Sequence, residues 1–186
     1  MKKMFLIISL FVISMNALAQ NLAVYGVSFG DDMYSVKSVL EEKGKKVKSG
    51  TTQTGYEYLE IKSPSVGGAK FERGFFRFDS SDRLSFISFS SQDIGGTGDP
   101  GMPWEAEFLR KAKSYNQTFM TMYQNLRMKY GSPSTATDGM AMWQFGNQRI
   151  TLEYNYKYEY NAFGWIDHSA SVFLRYEVVD VDSLDF

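Results

Sequence analysis

Residues 104–130 constrain the fold more than any other part of this chain. Apolar side chains recur at Phe108, Ala112, Tyr115, Phe119, Met122, Leu126 and Tyr130, spaced by fours and threes. Such spacing draws one stripe along an α-helix; a strand, whose side chains alternate with period two, would scatter it over both faces. Pro103 stands where a first-turn proline is tolerated, and Gly131 followed by Pro133 predicts a stop. Arg110, Lys111, Lys113, Gln117, Gln124 and Arg127 occupy the opposite face and belong in water. A long helix with a single apolar stripe needs another layer to bury it, and the alternating segments elsewhere point to a sheet.

The first residues read as an export signal. Lys2 and Lys3 precede an apolar run over residues 4–15, followed by Ala17, Leu18, Ala19 and Gln20. A basic start, a short apolar core and small residues at the −3 and −1 positions predict a signal peptide over residues 1–19, cleaved after Ala19. The run is shorter than the ~20 residues a membrane-spanning helix needs. The mature chain, residues 20–186, has no cysteine to carry a lipid or a disulfide. Losing Lys2 and Lys3 moves the formal charge from −1 to −3. A mildly acidic chain of mixed signs argues against nucleic acid and against a strongly anionic membrane as partner. The expected location is periplasmic or extracellular, in soluble form.

Along the chain, residues 22–29 read as a first strand closed by Gly30. Asp31 or Asp32 then caps a short helix carrying Met33, Val36, Val39 and Leu40, which ends at Gly44. Lys45, Lys46 and Lys48 form a basic turn, read as solvated surface, that leads into polar residues 49–54. Strands are predicted at 56–62, 71–79 and 84–90, the last two forming a hairpin about residues 79–82. Residues 91–102 lose all periodicity, with glycines at 95, 96, 98 and 101, and predict a hinge or lobe boundary. No Gly-Lys-Ser/Thr ending supports a phosphate loop there. After the long helix come strands at 140–145 and 148–161, turned at Gly146 and Asn147, and a last strand at 170–178. The acidic tail 180–186 is expected to fray. The order predicts an α+β fold, an antiparallel sheet with helices packed on one face, and suggests tandem α-β-β-β halves. It is read as a single domain, 20–186, with sub-lobes 20–91 and 103–186 joined by the glycine-rich linker.

The lead-in Gly26-Val27-Ser28-Phe29-Gly30-Asp31 and the helix ending Lys129-Tyr130-Gly131-Ser132-Pro133, with the strands after each, resemble two related kinds of exported module. One is the small outer-membrane assembly lipoprotein of the SmpA type. The other is the tandem-repeat β-lactamase inhibitor protein. The resemblance implies helices against one face of an antiparallel sheet, and action by binding other proteins without catalysis. This chain departs from both, since it lacks the lipidated cysteine of the first and the disulfides of the second.

Little in the sequence offers catalytic chemistry. His168 is the only histidine, and Asp167 is too near in sequence to orient it as a triad base. One histidine and no cysteine cannot furnish the usual zinc ligands, so no metal is expected. Met140 and Met142 share a strand face where thioethers would suit copper(I), but methionine as adaptable core filler accounts for them. Carboxylate pairs such as Asp31/Asp32, Glu57/Glu60 and Glu105/Glu107 are ordinary for this composition, and no cofactor is implied.

A binding surface can be argued at one strand. Tyr154, Tyr156, Tyr158 and Tyr160 take four successive same-face positions, with Thr151, Glu153, Asn155, Lys157 and Glu159 on the other face. A dry core favours Leu, Ile and Val, whereas four phenol hydroxyls each need a partner, so the later half of this strand should emerge at a wet edge. Tyr154 is expected to be buried; Tyr158, Tyr160 and nearby Trp165 are the predicted binding residues. The function expected is that of an exported, non-catalytic binding protein contacting a protein or a cell-envelope macromolecule such as a polysaccharide. The alternative is a small secreted hydrolase acting on polysaccharide or cell wall.

Overall fold

The computed structural model describes residues 22–179; the predicted leader, its cleavage site and the acidic tail lie outside them. In chain order the elements are α1 (Met33–Glu42), β1 (Val47–Thr51), β2 (Glu57–Lys62), β3 (Ser65–Val66), β4 (Ala69–Lys70), β5 (Arg73–Phe78), β6 (Leu84–Ser90) and β7 (Ile94–Gly98). Then follow α2 (Pro103–Tyr130), β8 (Thr135–Thr137), β9 (Met140–Phe145), β10 (Gln148–Tyr160) and β11 (Ile166–Val178). β3 and β4 form a separate small hairpin; the other strands make one antiparallel sheet with both helices on a single face. This is the α+β arrangement that the order of elements predicts.

The strand order, β1-β2-β5-β6-β11-β10-β9-β8, reads as two mirrored meanders. Each helix is followed by four paired strands, and the last strand of each set, β6 and β11, meet at the centre. Each half is thus a helix and four strands, one more than predicted. The missing strands are β1 and β8, which carry little apolar pattern: Val47 is the only aliphatic residue of Val-Lys-Ser-Gly-Thr, and Thr135–Thr137 is fully exposed.

The predicted hinge is stitched into the sheet. β6 pairs with residues 173–177 of β11, and β7 pairs with residues 166–170 of the same strand. The two run end to end as one interrupted strand. Between them the Ser91 N–H donates to the Val172 carbonyl at 3.0 Å, and the Ser91 hydroxyl accepts from the Val172 N–H at 2.8 Å. Glycines hide such a strand from periodicity because they put no side chain on either face.

Residues 22–29 are also not a strand. Val24 and Val27 exchange both backbone hydrogen bonds, at 3.0 and 3.1 Å, around Tyr25 (φ 60°) and Gly26 (φ 84°). Two central residues in the left-handed region make the mirror-image two-residue turn. Leu22, Val24, Val27 and Phe29 are all buried, so the alternation is real within each limb but the limbs fold back.

Core positions follow from one sheet face. Leu59, Ile61, Phe76, Ile87, Phe89, Trp143, Ile150, Leu152 and Leu174 are almost fully buried beneath Val36 and Leu40 of α1 and Phe119, Met122 and Leu126 of α2. Of the predicted stripe, Phe108 and Ala112 are buried too, while Tyr115 and Tyr130 pack half-buried at the margin. Each large apolar side chain here contributes roughly 1.5–3 kcal/mol of gross burial, an upper bound before chain entropy. Asp32 caps α1 by accepting the Ser35 N–H at 2.9 Å. Gly44 (φ 71°) closes it, donating to the Glu41 carbonyl at 2.8 Å while Lys45 donates to Leu40 at 3.1 Å. α2 ends at Gly131, whose carbonyl accepts the Trp143 indole N–H at 2.9 Å and so ties the helix end to β9.

Candidate binding site

β10 and β11 are the longest strands, each 13 residues, and pair without interruption from Gln148 opposite Val178 to Tyr160 opposite Ile166. Their neighbours are shorter. β9 pairs with residues 148–153 of β10 and β6 with residues 173–177 of β11. Beyond those limits residues 154–160 and 166–172 continue outward as an arm, flanked only by β7 on the β11 side.

The first half of α2 lies over this arm and builds a second, smaller core from Phe108, Ala112 and Ala170. Here the tyrosine ladder meets the helix. Tyr154 is half-buried and its hydroxyl donates to the Ala112 carbonyl at 3.2 Å. Tyr158 donates to the Glu105 carboxylate, which also accepts the Gly101 N–H at 2.7 Å. The Phe108 ring stacks near both Tyr156 and Tyr158, at 6.1 and 6.2 Å between centroids. The phenol hydroxyls that argued for a wet edge thus find partners on the helix in two of the four cases.

Electrostatics at the Tyr158–Glu105 pair follow from that hydrogen bond. Donation to a carboxylate favours the protonated phenol and pushes Tyr158 up to about 12. The same bond, with the Gly101 N–H second, holds the Glu105 carboxyl below the ordinary glutamate range. On the opposite face of the arm, Asp167 is held below the usual carboxylate range, first by the Thr97 hydroxyl at 2.8 Å and then by Asn161.

His168 lies inside the stack rather than in a reactive setting. Its ring is stacked on Trp104 at 4.2 Å and 11°, and Phe108 meets it edge-on at 4.6 Å. The glycines of β7 make this packing feasible: a Cβ at Gly98 would fall 2.5 Å from Trp104 Nε1. A side chain there would lift the indole off its seat. The glycine run that looks like a linker is a smooth strand on which rings lie flat.

Of the three predicted binding residues, Tyr160 and Trp165 stand at the exposed tip, with 66% and 50% of their surface open. Tyr158 is half-buried with its hydroxyl already engaged. The structure brings Tyr158 together with Trp104, Phe108 and His168; Trp165 shares no ring contact with the ladder among the described residues. Sequence reasoning left out Tyr156, 48% exposed on the same ladder, and Phe163 of the tip loop, 85% exposed. Phe163 carries a signal in its setting, Asn-Ala-Phe-Gly-Trp, where large rings lie in a turn that cannot bury them. Asn161 organises that turn by accepting the N–H groups of Phe163 and Trp165 at 2.9 and 3.2 Å.

A second concavity lies further along α2. Asn116, Phe119, Met120 and Tyr123 face the β8–β9 turn and Tyr154 across a mostly apolar cleft of about 390 Å³. Gly139 (φ 118°) lines it and sits hard against β10, where a Cβ would fall 2.8 Å from the Tyr154 carbonyl oxygen. No helix among the described residues is long and apolar enough to cross a membrane, and no cluster of three or more metal-ligating side chains occurs among them.

A family described as the TP0088 domain matches residues 109–171, a span running from α2 through β8, β9 and β10 into β11. The match includes the tyrosine ladder and the tip loop and stops short of Trp104 and β7. No curated protein and no solved structure matches the chain.

Proposed function

We propose that this is an exported, non-catalytic binding protein that uses the aromatic arm to engage a protein or another cell-envelope macromolecule. The observation that carries the reading is the tip of the arm. Tyr156, Tyr160, Phe163 and Trp165 are all at least 48% exposed and close together in the topology, two on β10 and two in the loop that joins it to β11. Large rings with a polar end supply contact area at low entropic cost, which is why tyrosine and tryptophan are enriched where proteins bind. The positive-then-apolar leader over residues 1–19 supports export, and the resemblance to helix-on-sheet exported modules supports binding over turnover. His168 packed between two rings gives the hydrolase reading nothing to build on.

A photo-crosslinking amino acid placed at Tyr160, and separately at Lys113 on the solvent face of α2, tests this in the native host. A discrete adduct from position 160 and none from position 113 is expected. Identical adduct patterns at the two positions would remove the arm as the binding surface. Mass spectrometry of the same material checks export, with Gln20 as the expected first residue.

A further inference from the structure

The outer half of β10 is an edge strand: it pairs with β11 on one side, and past Tyr154 the backbone groups on its other side have no partner among the described residues. Backbone groups of a strand alternate between its two sides. The Tyr154 N–H points to the β9 side, where it donates to Gly139, and the Asn161 N–H points to the β11 side, where it donates to Trp165. The N–H and C=O groups of Tyr156, Tyr158 and Tyr160 therefore face outward past the end of β9. Uncovered edges of this kind are templates for another strand.

The residues between them say which strand fits. Lys157 and Glu159 lie on the sheet face away from the helices, where they form an ion pair at 2.8 Å within the chain and stay open enough, 47% and 63% exposed, to meet a second strand's charges. Pairing this edge antiparallel with a second copy of itself about Tyr158 sets Tyr158 opposite Tyr158 and Tyr156 opposite Tyr160. Those are the positions whose backbone groups face outward, so each becomes a fully hydrogen-bonded pair. The same register sets Lys157 opposite Glu159 of the second copy, twice, at the closely spaced non-hydrogen-bonded positions where cross-strand charge pairs interact most. Moving the axis one residue either way sets lysine against lysine or glutamate against glutamate. Hydrogen-bond parity and charge select one register together.

We infer that the arm is a homodimerisation edge, two copies joining β10 to β10 antiparallel about Tyr158 so that one sheet runs through both. Such an interface is isologous, as a closed two-fold dimer requires. In this register the second copy's chain beyond Tyr160 runs toward the β8–β9 turn, so the loop bearing exposed Phe163 arrives at the apolar cleft beside Tyr154. Joining the arms also sets two sets of exposed rings side by side.

Sedimentation of the wild type and of charge variants tests the inference. Wild type is expected to be dimeric, with Lys157→Glu and Glu159→Lys each weakening self-association about tenfold or more through like-charge contacts. The two single variants mixed together, and the double swap K157E/E159K, are expected to recover the dimer, because opposite charges then meet again. That recovery separates the register from simple misfolding. A wild type that stays monomeric up to concentrations on the order of 100 µM overturns the inference. A dimer indifferent to both single charge reversals, or a mixture that fails to recover, overturns it as well. Crosslinking of a different partner at Tyr160 bears on the proposed function and leaves the sedimentation result to stand by itself.

Discussion

The two halves of the molecule share one plan and differ in length. In the first, a helix of 10 residues precedes four paired strands of 5 to 7 residues; in the second, a helix of 28 residues precedes four that end in two strands of 13. Where the halves are of equal extent, both helices press on one continuous core, and Ile150, Leu152 and Leu174 are completely covered. Past the end of β9, β10 has β11 on one side and no strand on the other, and the same sheet face changes from isoleucine and leucine to tyrosine. Burial along a strand is therefore decided by what lies beside it as well as by what lies over it. The excess length is the part available for contact with other molecules.

If the shared region carries the stability, Phe119→Ala should cost about 3–5 kcal/mol in urea unfolding, since Phe119 bridges α2 to the main core. A loss below about 1 kcal/mol would mean that the long helix is anchored mainly by the arm, reversing the comparison. Gly98→Ala should cost less, about 1–3 kcal/mol, because only Trp104 must move from its place over β7. Near-ultraviolet circular dichroism should report the loss of the ordered indole while the far-ultraviolet spectrum stays unchanged.

The arm should also carry its own pH limits. Glu105 is more acidic folded than unfolded, so its contribution is present above the unfolded value and lost as pH falls through the folded one. Tyr158 is less acidic folded, so its contribution is full below the ordinary value of 10.0 and lost as pH rises toward about 12. Tyr158→Phe should raise the Glu105 pKa toward the ordinary range in a carboxyl NMR titration, and an unchanged titration would show that the pair is not formed in solution. The smallest effects belong to exposed positions in both regions: Lys113→Ala and Tyr160→Ala should each change stability by less than about 0.5 kcal/mol in the same urea melts. A larger loss at Tyr160 would make the tip part of the folding core.

What could be read from the sequence depended on whether a segment has a patterned partner. The bounds of Leu84–Ser90 and Met140–Phe145 coincide with those predicted, and Pro103–Tyr130 differs by one residue, because each carries a regular apolar face. β1, β7 and β8 escaped because backbone pairing is their main hold on the sheet, with Val47 and Ile94 the only aliphatic residues packed from β1 and β7, and pairing leaves no mark on residue type. β11 begins four residues before the predicted start: Ile166 and His168 belong to the face pattern, but a lone histidine does not read as a packed ring. Tyr158 is partly exposed, as its place in the later half of the strand predicts, but its hydroxyl partner could not be read because Glu105 lies 53 residues away. The exposure of Tyr160 and Trp165 was more accessible, since rings beside a turn signal have little to cover them.

The mirrored strand order also governs how the chain can acquire its shape. The strand at the centre of the sheet, β11, is the last to be made, and β6 must wait for it across the whole of α2 and the second meander. Closure of so long a loop precedes any gain from the pairing, which places folding on the slow side for a chain of this size. During synthesis the first meander has an uncovered edge at β6 until residue 177 has emerged. The first meander therefore cannot close its sheet on the β6 side until the second half of the chain has followed it.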